Sequence, residues 1–307
     1  MGAAGVWLFP GQGSQRVGMG KALADALPDA KRAYDEADAA LGFDVGRLCW
    51  EGPSSELERT ANAQPAILAT SIAALRAAQA RGLNSTDPIL LGHSLGEFSA
   101  LVAGGAIGFA DALRLVRKRG ELMQAADASG GMAAVLGLDA DAVAAAIEGT
   151  GIVVANDNAP GQIVVSGPLA AMPAASEKLK AAGAKRVIAL KVSGGFHSPA
   201  MRAVAPQLAE AIRNTPFNAL KYRVIANVDA RPHEHASDFV ALLEKQVHSP
   251  VQWVASVRRA AVEGATTFIE FGAGTVLTGL VKRILPEART ANVWDPASLE
   301  EALNLVR

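Results

Sequence analysis

The sequence holds one cysteine, Cys49, in 307 residues. A lone thiol excludes a disulfide framework within the chain and a cysteine-rich zinc site. Charge of neither sign dominates: 29 Lys and Arg stand against 30 Asp and Glu, a formal net charge of -1. A nucleic-acid binder ordinarily carries a basic excess, and none is present. No uncharged apolar run is long enough to span a bilayer; Ile89 to Leu91 and Leu101 to Ile107 are core-sized. The opening residues lack a basic stretch and break at Pro10, and Val6 stands where a myristoylation signal needs Ser or Thr. The expectation is a soluble, cytoplasmic protein. Aromatics are scarce at 5%, whereas Gly is plentiful at 30 residues, a balance that suits an α/β enzyme with tight strand-to-helix turns. Half the chain is hydrophobic and 19% is charged, enough for a real core, so global disorder is excluded.

The patterning fits that class. Val6 to Phe9 is a short apolar run stopped by Pro10-Gly11, a buried strand feeding a loop. Residues 20–41, Ala66 to Arg81, Leu95 to Ala103 and Asp111 to Ala126 read as helices, and Ile89 to Leu91 as a second buried strand. Near Ser129-Gly130-Gly131 the pattern changes. Strand 132–138, helix 139–148, strands 152–155 and 162–165 around the turn-rich segment 156–161, helix 170–182 and strand 186–192 give the order βαββαβ, a ferredoxin-like unit. The organisation expected is a catalytic domain of residues 1–127 and 194–307, α/β-hydrolase-like with a mostly parallel sheet, and an inserted ferredoxin-like domain of residues 128–193. In the resumed main body, Pro199 to Arg213 reads as a helix capped by Ser198, with strands at 222–226 and 267–271.

Four places could carry chemistry. Gly92-His93-Ser94-Leu95-Gly96 fits G-x-S-x-G between a strand and a helix, the setting of a nucleophile elbow. Ser94 would be thrust outward, and the next amide, on Leu95, would lie at a helix N-terminus able to stabilise an oxyanion. Serine needs a base. Among five histidines, His197 follows a strand and precedes a helix, the ligand-facing end of a strand in an α/β sheet. His93 neighbours the nucleophile and should point elsewhere; His233 and His235 sit in a polar stretch and should face solvent; His248 lies in a loop. In the helix at 111–126, Ala112, Leu115, Val116, Leu122, Met123 and Ala126 form one apolar stripe, with Arg119 in its middle. Arg114, Arg117 and Lys118 fall on the opposite, solvated face. An inward Arg needs a partner or a ligand, and a salt bridge, a snorkelling stem and a fork for a substrate carboxylate all stay open. The loop Phe9 to Gln15 fails as a phosphate loop, because Arg16 stands where the third Gly belongs and Gly20-Lys21 is followed by Ala22. It reads better as a backbone-donor loop facing Ser94. Lys185, Arg186 and Lys191 read as ordinary helix-end and strand decoration, with contact to an anionic cofactor tail as the lesser alternative.

With those residues in place, the chain resembles the malonyl-CoA:acyl carrier protein transacylases, the acyltransferase family of fatty-acid and polyketide synthesis. The likeness rests on Phe9 to Gln15, Gly92 to Leu101, Arg119 to Gln124, Asn156 to Gly167, Phe196 to Pro199, Asn227-Val228, and Gln246 with Ser249 to Val251. These segments recur in order from about residue 6 to 285. The resemblance implies Ser94 as acyl-carrying nucleophile and His197 as its base. It implies a main-chain carbonyl, that of Gln246, in place of an acidic triad member, and an oxyanion hole from the amides of Gln12 and Leu95. Arg119 would hold the malonyl carboxylate, and Gln246, Phe196, Asn156 and Asn227 would line the substrate site. Malonyl-CoA and holo acyl carrier protein would be the partners of a monomer, with no metal and no cofactor, CoA being carried by a substrate. Two positions depart from the pattern: Gly195 stands where Pro is common and would loosen the loop of His197, and Phe98 replaces a common Tyr. A polyketide or malonate-decarboxylase acyltransferase, a serine hydrolase, and a noncatalytic docking module are the alternatives.

Overall fold

A computed structural model describes residues 5–84, 87–126, 129–192 and 194–306. The expected domain junction at 127/128 falls on residues outside those described, as does residue 193 of the junction at 193/194. The larger sheet contains β1 (Gly5–Phe9), β2 (Ile89–Gly92), β7 (Val224–Ile225), β8 (Pro232–His233), β9 (Thr267–Phe271) and β10 (Arg289–Val293). Its order is β10-β9-β1-β2-β7-β8, and every pairing is parallel except β7 with β8. The two central strands are continuous apolar runs because both faces are covered. Trp7, Phe9 and Leu90 pack into one core, while Val6, Leu8, Ile89 and Leu91 pack into a second across the sheet.

The smaller sheet contains β3 (Gly130–Leu136), β4 (Val153–Ala159), β5 (Gln162–Pro168) and β6 (Arg186–Ala189), in the order β4-β5-β3-β6, all antiparallel. Helices Ala140–Ala146 and Met172–Ala181 complete the βαββαβ order, and Val143, Ala175 and Leu179 share a third core with Val135, Ile163 and Val165. Backbone bonds tie β4 of the smaller sheet to the segment leading into the helix Trp253–Val262: Val251 donates to Ala155 O at 2.9 Å, and Asp157 donates to Val251 O at 3.1 Å. Among the described residues, no helix is long and apolar enough to cross a membrane.

Several elements differ from the sequence reading, each for a local reason. The helix expected over 20–41 is two, Lys21–Ala26 and Pro28–Leu41, because Pro28 opens a new helix and holds Leu27 extended. The helix expected from Ala66 begins at Thr60 and runs to Ala80 with Pro65 inside it. Pro65 has no N–H for the Ala61 carbonyl, and Arg117 Nη1 supplies the missing donor at 3.2 Å. Arg117 is therefore not simply part of a solvated face. The segment 156–161 is mostly strand: Asn156 to Ala159 belong to β4 with two register shifts, and the turn shrinks to Pro160-Gly161. The helix expected over 199–213 is a 3-10 turn, Pro199–Ala203, followed by Ala205–Arg213. Ser198 precedes that turn without capping it; its hydroxyl donates to Gly195 O at 2.6 Å. Helices Val45–Glu51, Asp238–Gln246, Val276–Ile284 and Pro296–Val306 had no counterpart in the sequence reading.

Candidate active site

The elbow is built from backbone contacts that only glycine permits. β2 ends at Gly92, and the helix Gly96–Ala103 starts four residues later. A Cβ on Gly92 would lie 2.0 Å from the backbone of Gly96, and one on Gly96 would lie 1.9 Å from Phe9 O. Between them Ser94 is driven to φ 51°, a left-handed conformation that a serine adopts only when its surroundings hold it there. The holding groups are identifiable. Asn227 Oδ1 accepts from Ser94 N at 2.7 Å, Asn227 Nδ2 donates to Gly92 O at 2.6 Å, and Gln246 Nε2 donates to Ser94 O at 2.9 Å.

His197, itself at φ 56°, places Nε2 at 2.8 Å from Ser94 Oγ. Its Nδ1 faces two carbonyls, Gln246 O at 2.9 Å and Ser249 O at 3.1 Å. A carbonyl only accepts, so Nδ1 carries the hydrogen and Nε2 presents a lone pair to the serine hydroxyl. That is the tautomer a general base requires, fixed here without a carboxylate. Burial and then the nearby Arg119 charge push the imidazole down to about 3, so it rests neutral. The loop before it is anchored at Gly195, which is buried with its carbonyl held by Ser198.

Arg119 is 1% exposed, the central residue of the apolar stripe. Its Nη1 donates to Gln64 Oε1 at 2.9 Å, and its Nη2 donates to Gln246 Oε1 at 2.9 Å and to Ser94 Oγ at 3.2 Å. These acceptors are amides and a hydroxyl, not carboxylates. Nε is buried without a partner, and the guanidinium lies 5.3 Å from the Phe98 ring centroid. Burial lowers its pKa to about 10, opposed by the charge of Glu97, and it stays protonated. A salt bridge and a snorkelling stem are thereby set aside: the cation is buried and paired only with neutral oxygens.

A cavity of about 460 Å³ opens over these groups, walled by β3, β4 and β5 of the smaller sheet and by the loops after β1 and β2 and the helix Phe109–Ala126. Gln12, Ser94, Arg119, Asn156, Phe196 and His197 all line it. Asn227 and Gln246 do not stand in its wall; their amides are committed to the elbow and to Arg119 beneath it. Leu95 lies below the surface at the entry to the elbow helix, and the Gln12 loop is brought beside it where His93 N donates to Phe9 O at 3.0 Å. His93 does point away from the serine, as expected: Nε2 pairs with Asn158 Oδ1 at 2.8 Å and the ring faces Trp253. His233 is not free in solvent; it sits between Asp229 and Asp238 at 3.1 and 3.0 Å. Lys191, read as decoration, stands on the cavity wall, as does Asn158. The fully buried Glu97, beneath the elbow, was not singled out in the sequence. A charged residue at the second position of an elbow helix, in a run otherwise small or apolar, was the available signal.

Residues 6–297 match the sequence profile of the acyl transferase domain. The chain belongs to the acyl transferase family. A curated member, the malonyl CoA-acyl carrier protein transacylase of Bacillus subtilis, is 45% identical, the match covering 98% of this chain and 96% of the relative. An acyl-carrier-protein S-malonyltransferase from Burkholderia pseudomallei superposes with a TM-score of 0.95 at 43% identity, covering 98% of this chain and 99% of that one. A malonyl transacylase solved in complex with its type II polyketide acyl-carrier protein superposes at 0.94 and 39% identity, over 98% and 99% of the two chains. The two-sheet architecture of this acyl transferase is thus shared with solved members along nearly the whole chain.

Proposed function

We propose that this acyl transferase moves the malonyl group from malonyl-CoA to the phosphopantetheine thiol of acyl carrier protein, through a malonyl-Ser94 intermediate, in fatty-acid biosynthesis. The observation that carries the reading is one hydroxyl with two neighbours: Ser94 Oγ lies 2.8 Å from the base His197 and 3.2 Å from the cation Arg119. A base beside a nucleophile is common to esterases; a buried cation beside it selects a substrate with a free carboxylate.

Ser94 Oγ attacks the malonyl thioester carbon as His197 Nε2 takes its proton. The Nδ1–H bonds to Gln246 O and Ser249 O spread the resulting imidazolium charge over two carbonyl dipoles. The amides of Gln12 and Leu95 face the oxyanion. Collapse expels the CoA thiolate, which leaves with the proton from His197. The carrier thiol then gives its proton to the same nitrogen and attacks the acyl-serine ester; on collapse His197 returns that proton to Ser94 Oγ, and the carrier departs as malonyl thioester. Arg119 receives the malonyl carboxylate, with Phe196 and Asn156 shaping the space around it. That carboxylate also offsets the guanidinium charge that depresses His197. The correct substrate therefore strengthens the base that will use it. The bulk of Phe196 disfavours branched acyl units.

Intact-mass measurement after mixing with malonyl-CoA should show one malonyl adduct, discharged by holo carrier protein. Ser94→Ala should lose the adduct and about 10⁶-fold in rate. A mutant that still gains the malonyl mass, or an adduct that water clears and carrier protein does not, overturns the proposal.

A further inference from the structure

The described elbow depends on a carboxylate that touches neither the cavity nor the nucleophile's side chain. Glu97 lies in the helix Gly96–Ala103 and is fully buried. Its Oε2 accepts from Gln246 Nε2, and its Oε1 accepts from Asn227 N at 3.3 Å. Gln246 and Asn227 are the two residues whose side chains hold the backbone of Ser94, one at the carbonyl and one at the amide. Glu97 N also donates to Ser94 O, at 3.1 Å.

We propose that Glu97 is a positioning residue for the transfer reaction, its carboxylate serving as the common anchor of the two clamps that keep Ser94 in its left-handed conformation and aimed at His197. The inference rests on the reading of Ser94 as the nucleophile.

Three arguments support it. Both groups facing the carboxylate are N–H donors, so the position calls for an acceptor at each oxygen, and a carboxamide would turn a donor toward one of them. The bond from Gln246 also fixes which way that amide points. With Nε2 held by Glu97 and Ser94 O, Oε1 is turned to Arg119, and the main-chain oxygen of the same residue orients His197. One carboxylate thus sets nucleophile, base and cation together. Finally, a buried carboxylate is costly, and no cation lies within ion-pair distance of this one among the described residues. Burial raises Glu97 to about 7, against the bonds from Gln246 and Asn227 and the charge of Arg119, with Asp229 acting in the raising direction. An apolar side chain would serve folding alone at lower cost.

The test is single-turnover loading by malonyl-CoA and by acetyl-CoA, normalised to active sites, for Glu97→Gln and Glu97→Asp. The first keeps length and removes an acceptor. The second keeps the charge and withdraws the carboxylate by one methylene, so it also tests the idea if the first fails to fold. Both should slow the loading step by roughly 10- to 10²-fold, the scale of a small misplacement of reacting groups. Acetyl loading should slow by that factor, and malonyl loading by at least as much, because Gln246 also orients Arg119. Wild-type rates in either variant overturn the proposal: in Glu97→Gln because the second acceptor is then dispensable, in Glu97→Asp because charge alone then suffices. A loss confined to malonyl also overturns it, by making Glu97 a counter-ion of Arg119. Ser94→Ala run alongside separates the two readings: an adduct that survives there indicts the nucleophile, whereas its loss leaves any failure with Glu97.

Discussion

Arg119 meets three neutral oxygens and a ring, an arrangement that leaves its charge for something the chain does not contain. Charge-assisted hydrogen bonds are worth roughly 1.5–3 kcal/mol each, so two parallel bonds to a malonyl carboxylate allow about 10²-fold discrimination or more against acetyl. Arg119→Ala should therefore cut malonyl loading sharply and leave acetyl loading unchanged or raised; an unaltered malonyl-to-acetyl ratio on folded protein would place selection elsewhere. The same change has a pH signature. His197 is depressed first by burial and second by Arg119, so removing the guanidinium raises the imidazole pKa. The base works only when neutral, above its pKa, and the acid limb of acetyl loading should move to higher pH in the variant. A limb that stays in place or moves down would mean that the two groups are not coupled. In the sequence, the position of Arg119 in an apolar stripe was legible, but its neighbours were not. Gln64 and Gln246 lie 55 and 127 residues away, and no periodicity reports such partners.

At the scale of elements, the elbow was readable because strand, glycines, serine and helix follow one another between Ile89 and Ala103. The reason for its glycines appears only in three dimensions. Alanine ordinarily stabilises a helix by about 1 kcal/mol over glycine. At Gly96 the added Cβ would sit 1.9 Å from Phe9 O, and forcing atoms into a packed site costs about 1–3 kcal/mol. Gly96→Ala should lower the melting temperature and abolish acyl-enzyme formation; a variant as stable and active as wild type would mean that β1 and the elbow helix separate readily. The helix Val276–Ile284 passed unnoticed in the sequence, yet its start is held by Glu270 at the end of β9. That carboxylate accepts from Leu277 N at 3.1 Å, from Thr278 N at 2.8 Å and from Thr278 Oγ1 at 3.1 Å. Burial raises it to about 7 from an ordinary 4.5. The folded state therefore binds a proton that the unfolded state has released between those values, and this group's contribution to stability falls as pH rises through them. In urea titrations from pH 5 to 8, wild type should lose stability relative to Glu270→Gln. A pH-independent difference would show that Glu270 ionises normally. The helix Asp238–Gln246 was equally silent, and with it the fact that Gln246 offers its side chain as well as its carbonyl.

The whole molecule places its chemistry where the smaller sheet covers the loops that follow β1 and β2, and this juncture decides what can reach Ser94. The alternation of strands and helices and the βαββαβ order were legible because both are carried by local pattern. The shared cavity was not, because its wall joins segments more than a hundred residues apart. Lys191 shows the difference: exposed basic residues look alike in sequence whether they face bulk solvent or the rim of a site, and this one lines the cavity from the segment after β6. With a net charge of -1, the chain has no global attraction for an acidic partner, so any steering must come from local cations of this kind. Such contacts are screened over about 10 Å at 0.1 M salt. If the carrier protein docks through an acidic surface at this rim, Lys191→Glu should slow malonyl transfer to holo carrier protein and reduce the salt dependence of that step. Pantetheine offers the same thiol without an acidic surface, so transfer to it should be unaffected. Loading by malonyl-CoA is a poor comparison, because CoA carries phosphates that the same lysine could attract. Pre-formed malonyl-enzyme challenged with each acceptor isolates the second half-reaction. Equal losses with both acceptors would assign Lys191 to the pantetheine arm, and no loss with either would move carrier docking to another face of the molecule.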